Sequence, residues 1–98
     1  MALDGDEMMR VEAIPRRTLM PTLRYFAAAA EAAGTNQEVI VGDDVAAVLA
    51  RACAAHGPKM SHVVGHSSLL LDGRYVSDHD TALAATDVLD VLPPFAGG

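Results

Sequence analysis

The sequence predicts a small α+β domain in which a mixed sheet folds over one main helix. Three observations carry this reading. Short runs rich in strand formers stand near both ends, "TLRYF" and "VLDVLPP". A single long stretch between them has apolar residues at helical spacing. Further on, an Asp-Gly pair separates two strand-like pieces, a strong short-range hairpin signal.

Each element follows from local chemistry. In "TLRYF", apolar Leu23 and Tyr25 alternate with other side chains, which fits a half-buried strand. "AAAAEAAG" then offers the best helix formers, closed by Gly34 where a left-handed turn ends a helix. Gln37 to Val41, "QEVIV", reads as a second strand. In "GDDVAAVLARACAAHG", Asp43 or Asp44 caps the first amides, and Val45, Val48, Leu49, Ala52, Cys53 and His56 form one stripe. Gly57 and Pro58 are expected to stop that helix, leaving Lys59, Met60 and His62 in a loop. "SSLLLDGRYV" reads as two strand pieces around Asp72-Gly73, and "SDHDTALAATD" as a polar, turn-rich segment with a small apolar patch. In the last strand, Val88, Asp90 and Leu92 face one way and Leu89 and Val91 the other, and Pro93 ends it.

Composition narrows the function. Ninety-eight residues suit one domain that buries roughly two thirds of the surface its unfolded chain exposes. The apolar fraction is 51%, but alanine supplies much of it, so little room is left for a deep substrate cavity. Formal charge is −6: residues 1–24 carry four acids and four bases, whereas residues 25–98 carry nine acids against Arg51, Lys59 and Arg74. Such a body repels phosphate backbones and anionic lipid, so neither nucleic acid nor membrane is an expected partner, and a basic protein surface is. The lone Cys53 excludes an internal disulfide and fits a reducing compartment. The start "MALDGDEMMR" lacks the pattern of a signal peptide, so a cytoplasmic location is expected. Residues 1–19 show no sustained periodicity and are expected to form a disordered extension, with Met8, Met9 and Met20 as alternative starts, ahead of a domain over residues 20–98.

No internal catalytic site is expected. Ser61, Ser67, Ser68, the histidines and the aspartates lack a nucleophile-elbow context. His62 and His66 have the spacing of helical metal ligands, but Gly65 lies between them, the segment has poor helix character and no zinc-hydrolase glutamate accompanies them, so they read as loop or surface residues. His56 suits the carbonyl end of its helix, and Cys53 suits core packing. No resident cofactor or metal is expected. The C-terminal "PPFAGG" is different. Pro93-Pro94 keep the exit extended, Phe95 supplies an apolar anchor, and Gly97-Gly98 are slim enough to thread a narrow channel and leave the Gly98 carboxylate unhindered. The geometry suggests a probe with a reactive tip.

"DVLDVLPPFAGG" is similar to the C-terminal signature of the MoaD/ThiS family of ubiquitin-like sulfur carriers, and the likeness runs from Met20 to Gly98. "PTLRYFAAAAEAAGT", "VAAVLARACAAHG" and "LLLDGRYV" resemble the family's opening strand and short helix, central helix and later strand. The resemblance implies a β-grasp fold. It also implies that a ubiquitin-activating-type adenylyltransferase, using ATP, activates the Gly98 carboxylate for conversion to a thiocarboxylate. The proline pair most resembles the small subunit of molybdopterin synthase, whose tail enters the large subunit. By position Leu92, Tyr75 and Phe26 match the apolar patch that family members present to partners, with Pro93, Pro94, Phe95 and Gly97 completing the contact. Phe95 replaces a commonly smaller residue, which leaves carriers for cysteine, thiamine or other sulfur-containing products, and protein-conjugating modifiers, as alternative readings.

Overall fold

The computed structural model describes residues 20–94. Strands β1 (Thr22–Tyr25), β2 (Gln37–Val39), β3 (Ser68–Leu71), β4 (Arg74–Tyr75) and β5 (Val88–Leu92) form one sheet in the order β2-β1-β5-β3-β4. The first and last strands are parallel neighbours in its centre, with Leu23 opposite Leu89 and Tyr25 opposite Val91. The other pairings are antiparallel. Helices α1 (Ala28–Ala33), α2 (Val45–His56) and α3 (Pro58–Gly65) provide the helical layer. This is the β-grasp arrangement, a mixed sheet wrapped on helices.

Alternation along the strands decides which face is covered. Leu23, Tyr25, Leu69, Leu89 and Val91 point into the core, where they meet Val45, Val48, Leu49 and Ala52 of α2. Asp44 is the α2 N-cap: its carboxylate accepts from the Ala47 amide at 2.8 Å. Cys53 is only half-buried and packs on the edge of the core. The β3–β4 turn is built by Asp72 (φ 51°) and Gly73 (φ 89°), both in the left-handed region that a tight hairpin requires. Asp72 also ties the turn to β5, because its carboxylate accepts from the Val88 amide at 2.8 Å.

Two sequence expectations are corrected. The segment after Gly57 is a helix, α3, and not a loop. Pro58 occupies its first turn, where a missing N–H costs nothing, and Gly57, at φ 91°, turns the chain between α2 and α3. Met60 (0% exposed) and Val63 then face the core three residues apart. The second strand is also shorter than Gln37–Val41: its ladder ends at Val39, and Ile40, whose amide bonds Pro21 at 3.1 Å, turns into the core.

His56 makes a different contact from the one its position suggests. Its Nε2 lies 2.5 Å from a Glu38 carboxylate oxygen, and the Tyr25 hydroxyl donates to the same oxygen at 2.6 Å. Burial works against the Glu38 charge, but the hydrogen bonds from Tyr25 and His56, with the His56 charge, hold its carboxyl below the ordinary range. Burial, then the bond to Glu38 and its charge, push the Tyr25 phenol well up, so it stays protonated. This network fastens β1, β2 and the end of α2 together.

Candidate functional site

The face of the sheet turned away from the helices is open. Strand register assembles a row across it: Gln37, Arg24, Asp90, Leu70 and Tyr75, one residue from each strand. One step further, where β5 ends, stand Phe26 and Leu92, with Ser68 opposite Leu92. Both are half-buried. Phe26 and Leu92 are therefore neighbours, because the Phe26 amide bonds the Val91 carbonyl at 3.3 Å. Tyr75 sits at the outer edge, two strands from β5 or roughly 10 Å across the sheet, with Leu70 bridging the gap. At 79% exposure it is the most solvated large apolar side chain among the described residues.

In the middle of this surface lies an ion pair that sequence reasoning missed. Arg24 Nε and Nη2 donate to the two Asp90 carboxylate oxygens at 2.6 and 2.8 Å, a fork-to-fork geometry. The Asp90 side chain is 8% exposed and that of Arg24 47%. The Asp90 hydrogen bond and charge raise the Arg24 pKa further above its already high range. The Arg24 guanidinium also lies 5.7 Å from the centroid of the Phe26 ring, within cation–π range. Asp90 thus fixes Arg24, and Arg24 backs Phe26. The only sequence signal was the charge at the centre of each apolar run, "TLRYF" and "VLDVL".

The tail root sits beside this patch. Alternation carries Pro93 to the helical side, where it is buried, while Pro94 is exposed. Both prolines line a groove with Ala28, His62, Val63 and His66. Phe95, Gly97 and Gly98 lie outside the described residues, as do residues 1–19. A further exposed apolar group, Met20, Val39 and Val41, occupies the strand end remote from the tail, where Val39 pairs with Thr22; composition gave no hint of it.

The open face carries apolar side chains and an internally paired charge, which suits binding rather than bond-making. Among the described residues no three His, Cys, Asp or Glu side chains gather where they could hold a metal ion, and no helix is long and apolar enough to cross a membrane.

Comparison with known proteins agrees with this architecture. The small archaeal modifier protein 1 of Haloferax volcanii superposes with a TM-score of 0.68 at 30% identity, over 81% of this chain and 99% of its own. A Pyrococcus furiosus protein assigned as molybdopterin-converting factor subunit 1 gives 0.66 at 29%, over 78% and 98%. Helicobacter pylori molybdopterin-converting factor, solved as a complex of subunits 1 and 2, matches in fold with a TM-score of 0.61 at 22% identity, over 82% of this chain and all (100%) of the matched one. No curated protein matches the chain by sequence. The family model of the ThiS family matches residues 23–98, spanning both central strands, the open face and the Gly-Gly end. The chain belongs to the ThiS family and is a MoaD/ThiS-type, ubiquitin-like sulfur carrier.

Proposed function

We propose that this carrier delivers sulfur from a thiocarboxylate at Gly98, as the small subunit of a molybdopterin synthase. The observation that carries the reading is the exit of the tail. Central strand β5 delivers Leu92 to the open face beside Phe26, and Pro93 and Pro94 follow at once, so a partner gripping the apolar face is placed to receive the glycines. From Pro94 the four remaining residues reach at most about 14 Å, enough to enter a neighbouring active site.

The chemistry is placed on the partners. A ubiquitin-activating-type adenylyltransferase holds ATP, and a Gly98 carboxylate oxygen attacks its α-phosphate, releasing pyrophosphate and forming an acyl-adenylate. Sulfur at the hydrosulfide level then attacks the acyl carbon and AMP leaves, giving the Gly98 thiocarboxylate with no change of oxidation state. The carrier contributes a docking surface of Phe26, Tyr75 and Leu92, an extended exit through Pro93 and Pro94, the anchor Phe95, and a slim tip of Gly97 and Gly98. A large subunit like the one that accompanies subunit 1 in the Helicobacter pylori complex is the acceptor.

The likeness to the Haloferax volcanii small archaeal modifier supports a second reading, attachment of Gly98 to lysines of other proteins. Mass spectrometry separates the two. A carrier gains about 16 Da when one oxygen becomes sulfur, whereas a modifier appears as an isopeptide on other chains. Deleting Gly97 and Gly98 is expected to abolish sulfur transfer with the fold intact; a deletion variant that still transfers sulfur would sink the proposal.

A further inference from the structure

The finding that residues 58–65 are helical answers the objection that the segment carrying His62 and His66 has poor helix character. His62 lies in the last turn of α3 and His66 is its C-cap residue, four positions on, so the two side chains share one side of the helix. Their ring centroids are 4.5 Å apart with a 48° tilt. Both residues are exposed. We propose that His62 and His66 form a two-imidazole clip for a late first-row divalent cation, Ni2+ or Cu2+, at the root of the tail.

Three features of the pair support this. His66 Nδ1 lies 2.8 Å from the His62 carbonyl oxygen, which can only accept, so Nδ1 carries the proton and Nε2 keeps its lone pair outward. That hydrogen bond fixes tautomer and ring orientation in the way the partners of metal-bound histidines do. Neither His62 ring nitrogen is engaged by a hydrogen bond among the described residues, so one is free to ligate.

Geometry selects the metal. A cation at the usual ~2.0–2.1 Å from one nitrogen of each ring stands roughly 3.2 Å from each centroid. Where one nitrogen of each ring turns to the same cation, centroids 4.5 Å apart subtend roughly 90° at it. That angle matches cis positions of a tetragonal or octahedral site, which Cu2+ and Ni2+ favour with nitrogen ligands, better than the wider tetrahedral angle of Zn2+. The net charge of −6 raises cation concentration at the surface, while Lys59 is the nearby base on α3.

The location matters for the carrier. His62 and His66 share their groove, about 290 Å3, with Val63, Ala28 and both tail prolines. This groove is on the helical side, reached by Pro93, whereas Leu92 faces the open sheet. A cation held there stands at the base of the tail without covering the docking patch. The clip uses no residue beyond Pro94, so it stands or falls separately from the sulfur-carrier chemistry.

The test is calorimetric titration of the untagged full chain with NiCl2 at neutral pH. The expected result is saturable one-to-one binding, weakened at least about tenfold by His62→Ala and likewise by His66→Ala, because loss of either imidazole removes the chelate. His79→Ala, on the β4–β5 connection, is expected to bind as the parent does. Far-UV circular dichroism of each variant confirms that the helices persist. Amide signals of α3 should broaden in the presence of Ni2+ before those of any other element. Absence of saturable binding, variants of His62 or His66 that bind like the parent, or broadening centred elsewhere would each overturn the clip.

Discussion

Ala27→Gly should make the domain more stable, although it removes a methyl group and adds freedom to the unfolded chain. Ala27 is the N-cap of α1, with φ 51° and ψ −123° and no side-chain capping bond. A Cβ is disfavoured there, and a side chain held in so sparsely populated a region costs of order 1–3 kcal/mol. Glycine has no Cβ to clash and is well tolerated at an N-cap. Ala27 is exposed, so its methyl contributes no core packing. The added entropy of the unfolded glycine chain takes back about 0.4–1 kcal/mol, which leaves a net gain of about 1 kcal/mol. For 98 residues the unfolding entropy is roughly 0.2 kcal/mol/K, so Tm should rise by about 5 °C. Differential scanning calorimetry measures it directly. Ala27→Val, with a branched Cβ in the same conformation, should move Tm the other way. A fall in Tm for the glycine variant, or indifference to both substitutions, would refute the strain argument and with it the sharp turn that joins Phe26 on the open face to Ala28 in the tail groove.

Met60→Ala removes a fully buried side chain from α3 and should cost about 3 kcal/mol by urea denaturation; a cost near zero would mean that α3 does not pack on the core. Glu38 is held below its ordinary value near 4.5, so the stability it contributes is complete above that pH and is lost as pH falls through the lowered folded value. Glu38→Gln should therefore flatten the acid limb of a Tm-versus-pH profile. The Tyr25 phenol is shifted the opposite way, and its contribution should persist to about pH 10 and fade above it, a limb that Tyr25→Phe removes. Leu92→Asp places a charge beside Phe26 on the open face and should weaken docking of the proposed activating enzyme by tenfold or more in surface plasmon resonance. Binding by the unaltered chain should also weaken as salt rises, given the nine acids of residues 25–98.

Local pattern made most of the elements legible. The alternation in "TLRYF" and "VLDVL", the stripe on α2 and the Asp72-Gly73 turn all act within a few residues, and each element formed where the sequence put it. Helix α3 was hidden because Pro58 reads equally as a stop or as a first-turn residue, and only Met60 packing inward distinguishes them. β2 was overextended because Ile40 and Val41 have strand propensity without a partner strand to satisfy. The candidate site was legible only in part. Phe26, Tyr75 and Leu92 were named through a family resemblance, and the register of β1, β5, β3 and β4 places all three on one face. The Arg24–Asp90 pair and the Tyr25–Glu38–His56 network depend on residues brought together by folding, 66 positions apart in the first case, so no local pattern could announce them.

The proposed carrier role rests on sulfur held at Gly98. Intact mass after incubation with ATP, a sulfur source and the adenylyltransferase of the same cell tests it, followed by addition of a molybdopterin synthase large subunit and its precursor. A gain of about 16 Da that disappears as molybdopterin forms is expected. A gain that persists would contradict the molybdopterin assignment, and no gain with competent enzymes would contradict the thiocarboxylate itself.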